Sequence, residues 1–391
     1  MGIGSSKKTG FKIGEASPFY WACRAGDIQT VRKMLPNMTY EQVNQVERNG
    51  STALHAATYH EHSHIVRLLL ESGCSRTTQN RHGLTAYQEA STDEIRALFD
   101  RPTSNRFLDE HMTDTFLVVS HTGDNVDMED GIPDNWFKGH ATAKTAYEAQ
   151  FMHAIADSSG LLKNIVQNRI EAESKKQLRH LVSRTINEEH GQHACANQLY
   201  EKFRKELDIP SLLTMYTLET PLYSALQNEA DSFATMIYLH LSELKDRAYK
   251  GRAYRGGRMT DNDIRAYRWA LQRQEQVLET RTIQSMSLNK SIALSFTQSI
   301  RRGYDPRHAV LLIFDFPEIC PTAINLNKIS EKLPALSAFE YEEEVLLLPF
   351  TLFSVKEIKI DSTSSDYCIT LSHRPTPKGS AVSIAHNLRK S

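Results

Sequence analysis

Cysteine is sparse and unpatterned in this chain: five residues in 391, at positions 23, 74, 195, 320 and 368, with no CxxC anywhere. A disulfide-stapled domain needs an even, closely spaced set, so these read as reduced thiols of a cytosolic protein. Long apolar runs are missing too. The longest, such as Val310-Leu311-Leu312-Ile313-Phe314, are strand-sized, well short of the roughly 18 residues a membrane span needs. Met1 to Gly14 carries three lysines and no apolar segment, so a secretory signal is not expected. Neither charge is in excess: 46 Lys+Arg stand against 47 Asp+Glu, a formal net charge of −1. That balance argues against coating nucleic acid by bulk charge and against an acidic solvating tail. What remains is an ordinary globular composition, 40% hydrophobic and 24% charged, with length for two or three domains.

Several site motifs are absent as well. No G-x-G-x-x-G opens a βαβ unit, which excludes a Rossmann dinucleotide enzyme. His60, His62 and His64 alternate, and His190 and His193 lie close together, but neither group has a further ligand at zinc spacing. Asp124, Asp127, Glu129, Asp130 and Asp134 miss the register of a calcium loop and read as a solvated acidic loop. No metal site is expected.

Two features stand out near the N-terminus. Met1-Gly2-Ile3-Gly4-Ser5-Ser6 fits the M-G-x-x-x-[ST] pattern for myristoylation of Gly2. Lys7 and Lys8 would each add about 1 kcal/mol of attraction to an anionic leaflet, where one acyl chain alone binds at only about 10⁴ M⁻¹. The expected location is the cytoplasm, with attachment to the cytosolic face of a membrane through Gly2. The alternative is a flexible Gly/Ser-rich terminus that fits the pattern by chance. Next comes an internal repeat. Gly50, Thr52 and Ala57 recur as Gly83, Thr85 and Ala90, all at an offset of 33 residues. Ala22, Val31 and Leu35 carry a related helical spacing further upstream. The Thr-Ala-Leu-His-x-Ala core of Thr52 to Ala57 resembles the ankyrin repeat, about three units ending near Asp100. That resemblance implies an α-solenoid that docks a protein partner; a purely structural cap on the next domain is the alternative.

Residues 102–140 hold one strand-like run, Phe116-Leu117-Val118-Val119, and residues 141–207 read as helical. Leu222, Leu226, Phe233, Ile237, Leu241 and Leu244 recur mostly every three or four positions, which predicts one amphipathic helix over 221–248. Short β-type runs follow at Arg252–Gly256, Thr282–Ser287, Ala309–Phe316, Glu343–Leu348, Phe353–Ile360 and Cys368–Ser372. Helices followed by a run of strands make an α+β domain.

Three polar motifs lie on or beside those strands. They are Ala253-Tyr254-Arg255-Gly256-Gly257, then Ser285-Met286-Ser287, then Glu342-Glu343-Glu344 before Val345-Leu346-Leu347-Leu348. If the last is a strand, Glu342 and Glu344 project from one face, and paired carboxylates on a buried strand are costly unless used or paired. The order Arg, Ser-x-Ser, Glu-x-Glu resembles the arginine-specific mono-ADP-ribosyltransferases. Met215–Tyr223, Lys290–Phe296 and Phe353-Ser354-Val355 extend the likeness over residues 205–373. Met286 departs from the family, which usually has Thr there.

The resemblance implies transfer of one ADP-ribose from NAD to an arginine of a target protein, with release of nicotinamide. NADP is a further candidate substrate. Loss of nicotinamide leaves an oxocarbenium-like ribose, which calls for a fixed carboxylate. By the family pattern Glu344 takes that role, Glu342 holds and helps deprotonate the acceptor guanidinium, and Ser285 orients Glu344 or the ribose. Arg255 would fork onto a pyrophosphate or ribose oxygen. Gly256, Ser287, Phe296 and Arg301 complete the expected NAD contacts, with Phe296 stacking on nicotinamide. Phe339 and Tyr341 would meet the acceptor protein.

The expected domains are a flexible N-terminus at 1–16, ankyrin repeats at 17–101, and a linker and helical region at 102–204. A transferase domain at 205–373, a helical lobe plus a β-sandwich-like NAD-binding core, and a disordered tail at 374–391 complete the chain. An NAD glycohydrolase and a catalytically silent ankyrin scaffold are the rival functions.

Overall fold

The computed structural model describes residues 16–101, 116–120, 161–226, 229–272, 276–298, 307–360 and 366–375. Gly2, the acidic loop at 124–134, Arg301 and the tail beyond 375 lie outside these residues. The chain divides into two compact units: residues 1–100 with 188–198, and residues 101–187 with 199–391.

The first unit consists of short helix pairs: α1 (Pro18–Ala25) with α2 (Ile28–Met34), α4 (Ala53–Tyr59) with α5 (Ser63–Glu71), and α6 (Ala86–Glu89) with α7 (Asp93–Ala97). The short α3 (Tyr40–Val43) separates the first two pairs. The repeated threonines start helices. Thr52 Oγ1 accepts from the His55 N–H at 3.4 Å and Thr85 Oγ1 from the Gln88 N–H at 3.3 Å, satisfying donors that a helix start leaves open. His55 is buried, with Nδ1 2.7 Å from Thr52 Oγ1 and Nε2 3.0 Å from the Leu84 carbonyl, so its ring ties one repeat to the next. Gly50 has φ 75°, and a Cβ there would sit 2.4 Å from Arg81 Cβ, so the turn admits only glycine. Ala57, Ile65, Val66 and Leu69 form the seam. His62 lies in the turn before α5, with Nε2 2.9 Å from the Arg24 carbonyl. Among the described residues no group of three or more His, Cys, Asp or Glu could hold a metal ion. No helix among them is long and apolar enough to cross a membrane.

The helices of the second half are α8 (Leu161–Thr185), α9 (His193–Glu206), α10 (Ile209–Thr217), α11 (Leu222–Leu226) and α12 (Asp231–Leu239). The single helix expected over 221–248 is broken. It becomes α11, α12 and a 3-10 turn at Leu241–Arg247. All six residues of the predicted stripe are buried, but so are Ala234, Met236, Tyr238 and Leu239 around it. The segment is enclosed on more than one side, so its apolar period did not report one continuous helix.

Eight strands follow one hydrogen-bonded order, β1-β3-β7-β8-β5-β2-β4-β6, and β6 also pairs with β5, so the last four strands close on themselves. They are β1 (Phe116–Ser120), β2 (Ala248–Met259), β3 (Gln276–Thr280), β4 (Gln284–Ser287), β5 (His308–Asn325), β6 (Glu344–Leu347), β7 (Leu352–Ile360) and β8 (Tyr367–Arg374). Helices α13 (Asp261–Gln272) and α14 (Lys290–Gln298) lie between strands in sequence. Phe353 packs edge-on against Phe314 and Phe316 at 5.3 and 5.7 Å in the core. The fold is α+β, as expected. Strand β5, however, continues past the predicted end at Phe316, through Pro317 and Pro321. Its register against β2 slips between Ala248 and Gly251, and Gly251 takes φ 132°, so the prolines fall where the ladder is already interrupted.

Candidate active site

The site is assembled where β4 runs between β2 and β6. Ser287 is opposite both Tyr254 of β2 and Glu344 of β6. Ser285 Oγ donates to Glu344 Oε1 at 2.5 Å. Its one proton is thereby used, so it accepts from the Tyr216 hydroxyl, 2.9 Å away at the end of α10. Ser337 Oγ donates to Glu344 Oε2 at 3.2 Å. Glu344 is 0% exposed, and the two hydroxyls offset the cost of taking its carboxylate out of water. The Leu326 N–H fixes the Glu344 carbonyl at 3.0 Å, which holds the start of β6.

Arg255 is buried on β2 opposite Leu312, and its Nη1 donates to the Ser285 carbonyl at 2.8 Å. The guanidinium therefore braces the strand that carries the serine. Gly256 is the next residue, buried opposite Leu311. Ser287 Oγ accepts from the Asn289 N–H at 3.0 Å and so shapes the turn into α14. The backbone of Phe296 belongs to α14, but its side chain lies outside the description, as does all of Arg301. Arg255, Ser285, Ser287, Glu342 and Glu344 are all buried in the second unit, and hydrogen bonds link Arg255 to Ser285 and Ser285 to Glu344.

Glu342 corrects the expectation that both glutamates alternate on one strand. It ends a 3-10 turn, Glu340–Glu342, and Glu343 adopts φ 47° and ψ 52° before β6 begins at Glu344. The left-handed residue turns the chain through a corner, so the two carboxylates enter different surroundings. Glu344 faces hydroxyls, whereas Glu342 faces a guanidinium. Arg101 Nε donates to Glu342 Oε1 at 2.9 Å and Arg101 Nη2 to Oε2 at 3.0 Å, a bidentate pair. Tyr341 also donates its hydroxyl to Glu342 Oε1, at 3.3 Å.

Every face of the Arg101 head group is occupied. Nη1 donates to Glu219 Oε2 at 2.5 Å, and Nη2 also donates to the Thr217 carbonyl at 3.2 Å. That carbonyl belongs to the last turn of α10, where a helix presents partial negative charge. The Phe339 ring lies under the guanidinium, with 3.7 Å from Cζ to the ring centroid. Burial by itself would lower the Arg101 pKa; the Glu342 carboxylate and then Glu219 outweigh it and hold the group above the usual arginine range.

Reading the sequence found the three motifs but not their supports. Tyr216 and Glu219 stand inside a stretch noted for family likeness, with no role given to either. Ser337 and Arg101 carried no signal: Arg101 lies 241 positions from Glu342, and only the fold joins them.

Residues 7–99 match the family described as Ankyrin repeats, in three copies. A search of curated protein sequences finds no match. Among solved structures, the chain is similar to the ADP-ribosyltransferase HopU1 of Pseudomonas syringae, at 15% identity and TM-score 0.32, over 59% of this chain and 97% of that one. It is similar to Vis, an ADP-ribosyltransferase from Vibrio splendidus, at 16% identity and TM-score 0.26, over 57% of this chain and 90% of that one. It is also similar to C3stau2 from S. aureus with NAD, at 17% identity and TM-score 0.27, over 46% of this chain and 92% of that one. With TM-scores this low, any reading of function rests on the geometry of the site.

Proposed function

We propose that the second unit is an NAD-dependent mono-ADP-ribosyltransferase that modifies arginine side chains, with the ankyrin repeats docking a protein partner. The observation that carries this reading is the linked set Tyr216–Ser285–Glu344 braced by Arg255. A buried carboxylate held by two hydroxyls is costly to build and is suited to a reaction that develops positive charge. NAD would supply the ribose–nicotinamide bond that breaks. Glu344 would stabilise the cationic ribose, with Ser285 and Ser337 holding its two oxygens. Arg255 and the backbone at Gly256 are the groups for phosphate or ribose oxygens, and Ser287, Phe296 and Arg301 are the remaining candidates for NAD contact. NADP is a candidate in the same place.

The arginine acceptor is supported by Glu342, whose carboxylate has the fork geometry for a guanidinium and holds one. In the transfer step the acceptor nitrogen gives a proton to Glu342 and forms the bond to the ribose carbon that nicotinamide leaves. The deciding experiment incubates the full chain with NAD and agmatine, a small guanidinium, and follows nicotinamide and ADP-ribosyl-agmatine by mass spectrometry. The adduct is expected from the wild type, nicotinamide without adduct from Glu342→Gln, and neither from Glu344→Gln. Nicotinamide without adduct from the wild type would favour a glycohydrolase, and adduct from Glu344→Gln would overturn the assignment. Attachment of the chain to a membrane through Gly2 is a separate proposal, tested by the membrane fraction of Gly2→Ala.

A further inference from the structure

Among the described residues, Arg101 is a deeply buried charge held by two carboxylates. It is the second residue after the matched ankyrin stretch ends at residue 99, and its side chain is 1% exposed. Arginine is rarely buried for stability alone: two charges taken from water roughly break even with an apolar pair of the same volume. Here the surroundings fit one chemical group and little else. The Glu342 carboxylate takes Nε and Nη2 edge-on, Glu219 takes Nη1, the Thr217 carbonyl at the end of α10 accepts from Nη2, and the Phe339 ring supports the flat face. A lysine ammonium would satisfy one carboxylate and leave the ring and the second acceptor unused. The shape and charge belong to a planar, delocalised cation.

We propose that Arg101 is a built-in competitor: its guanidinium fills the acceptor position at Glu342, completed by Glu219, the Thr217 carbonyl and the Phe339 ring. An arginine acceptor enters only when Arg101 leaves. This deepens the function proposed above and rests on it for the word acceptor; the subsite itself rests on the contacts. Glu219 becomes a specificity residue, since it touches the guanidinium without lying in the Glu-x-Glu motif. Arg101 becomes a built-in competitor. The apparent affinity for a free guanidinium is then reduced by the fraction of time the subsite is open.

The test is binding of agmatine to the full chain without NAD, by calorimetry, for the wild type, Arg101→Ala and Arg101→Lys. If the subsite is open less than about a tenth of the time in the wild type, Arg101→Ala binds agmatine at least about tenfold more tightly, with Arg101→Lys between the two. Putrescine, which has the chain length but no guanidinium, gains far less. Equal agmatine affinity in the wild type and Arg101→Ala would overturn the proposal. Removing Arg101 leaves Glu342 buried beside Glu219, so Arg101→Ala can fail to fold. In that event circular dichroism is repeated with millimolar agmatine. Folding restored by agmatine and not by putrescine supports the subsite, and no restoration overturns it.

Turnover separates this result from the fate of the proposed function. With NAD present, Arg101→Ala is expected to lower KM for agmatine about tenfold while KM for NAD stays within about twofold. Tight agmatine binding with no nicotinamide release from any variant would keep the subsite and remove the transferase reading. Adduct formation with identical agmatine KM in the wild type and Arg101→Ala would keep the transferase and remove Arg101 as a competitor.

Discussion

The two units bury charge very differently. Among the described residues of the ankyrin unit the buried polar set is mostly Thr52, His55, Thr58, Asn80 and Thr85, with Glu47 as its one buried carboxylate, held at 2.5 Å by Ser17 Oγ. The second unit buries Arg101, His240, Arg247, Arg255, Arg258, Asp263, Glu279, Glu342 and Glu344 among its described residues. Repeats stack by local, small-residue contacts and need polar groups only to start helices and turn corners. A packed α+β core has no such need for this many buried charge-bearing side chains. Four of them meet at the Ser-x-Ser and Glu-x-Glu segments: Arg101 on Glu342, Arg255 on the Ser285 carbonyl, and Glu344 on Ser285.

The contrast can be broken in order of expected effect. Glu342→Ala strips a buried guanidinium of its bidentate partner and should lower stability by about 3–5 kcal/mol in a urea titration. Glu47→Ala removes a carboxylate held by one neutral hydroxyl and should cost only about 1 kcal/mol. Equal losses would erase the difference between the units. Glu344→Gln is isosteric and should leave folding nearly unchanged while nicotinamide release falls by a factor of about 10²–10³ or more. Ser285→Ala, which removes one hydrogen bond from Glu344 and one from the Tyr216 hydroxyl together, should lower turnover about 10- to 100-fold. Tyr216→Phe, one step further from the carboxylate, should lower it less than about tenfold. If Tyr216→Phe proved the worse of the two, the relay from Tyr216 through Ser285 would be misassigned.

The smallest effect belongs to the ankyrin unit. Burial depresses the His55 pKa below its ordinary 6.5, and the Leu84 carbonyl only partly restores it. The unfolded chain therefore binds this proton first as pH falls. Stability from a neutral His55 is complete above about pH 6.5 and is lost as pH drops toward the lowered folded value. Thermal melts from pH 7.5 to 5.5 should show the decline, and His55→Gln should flatten it. A melt independent of pH in the wild type would remove His55 as its source.

Much of this was legible because it is local. The repeat of Gly50, Thr52 and Ala57 at Gly83, Thr85 and Ala90 reports turns and helix starts made within a few residues, and each does its expected work in the structure. The strands at Arg255, Ser285 and Val345 were found from short β-type runs. Period-based reading failed where tertiary burial replaced amphipathicity, as at 221–248, and where prolines sat in a slipped register, as in β5. It failed again at Glu343, because a single left-handed residue breaks the alternation that a run of glutamates suggests.

The sequence by itself determined the ankyrin stack and the α+β class, since turn chemistry, helix capping and strand patterning act over a few residues; it offered Arg255, Ser285 and Glu344 as candidates only through a family resemblance. Only the tertiary structure decided that Tyr216 and Ser337 hold the serine–glutamate pair, that Glu342 leaves the strand, and that Arg101 meets it across 241 positions. The reason is physical. A buried charge is satisfied by whatever partner the fold brings within about 3 Å, and sequence separation has no part in that selection.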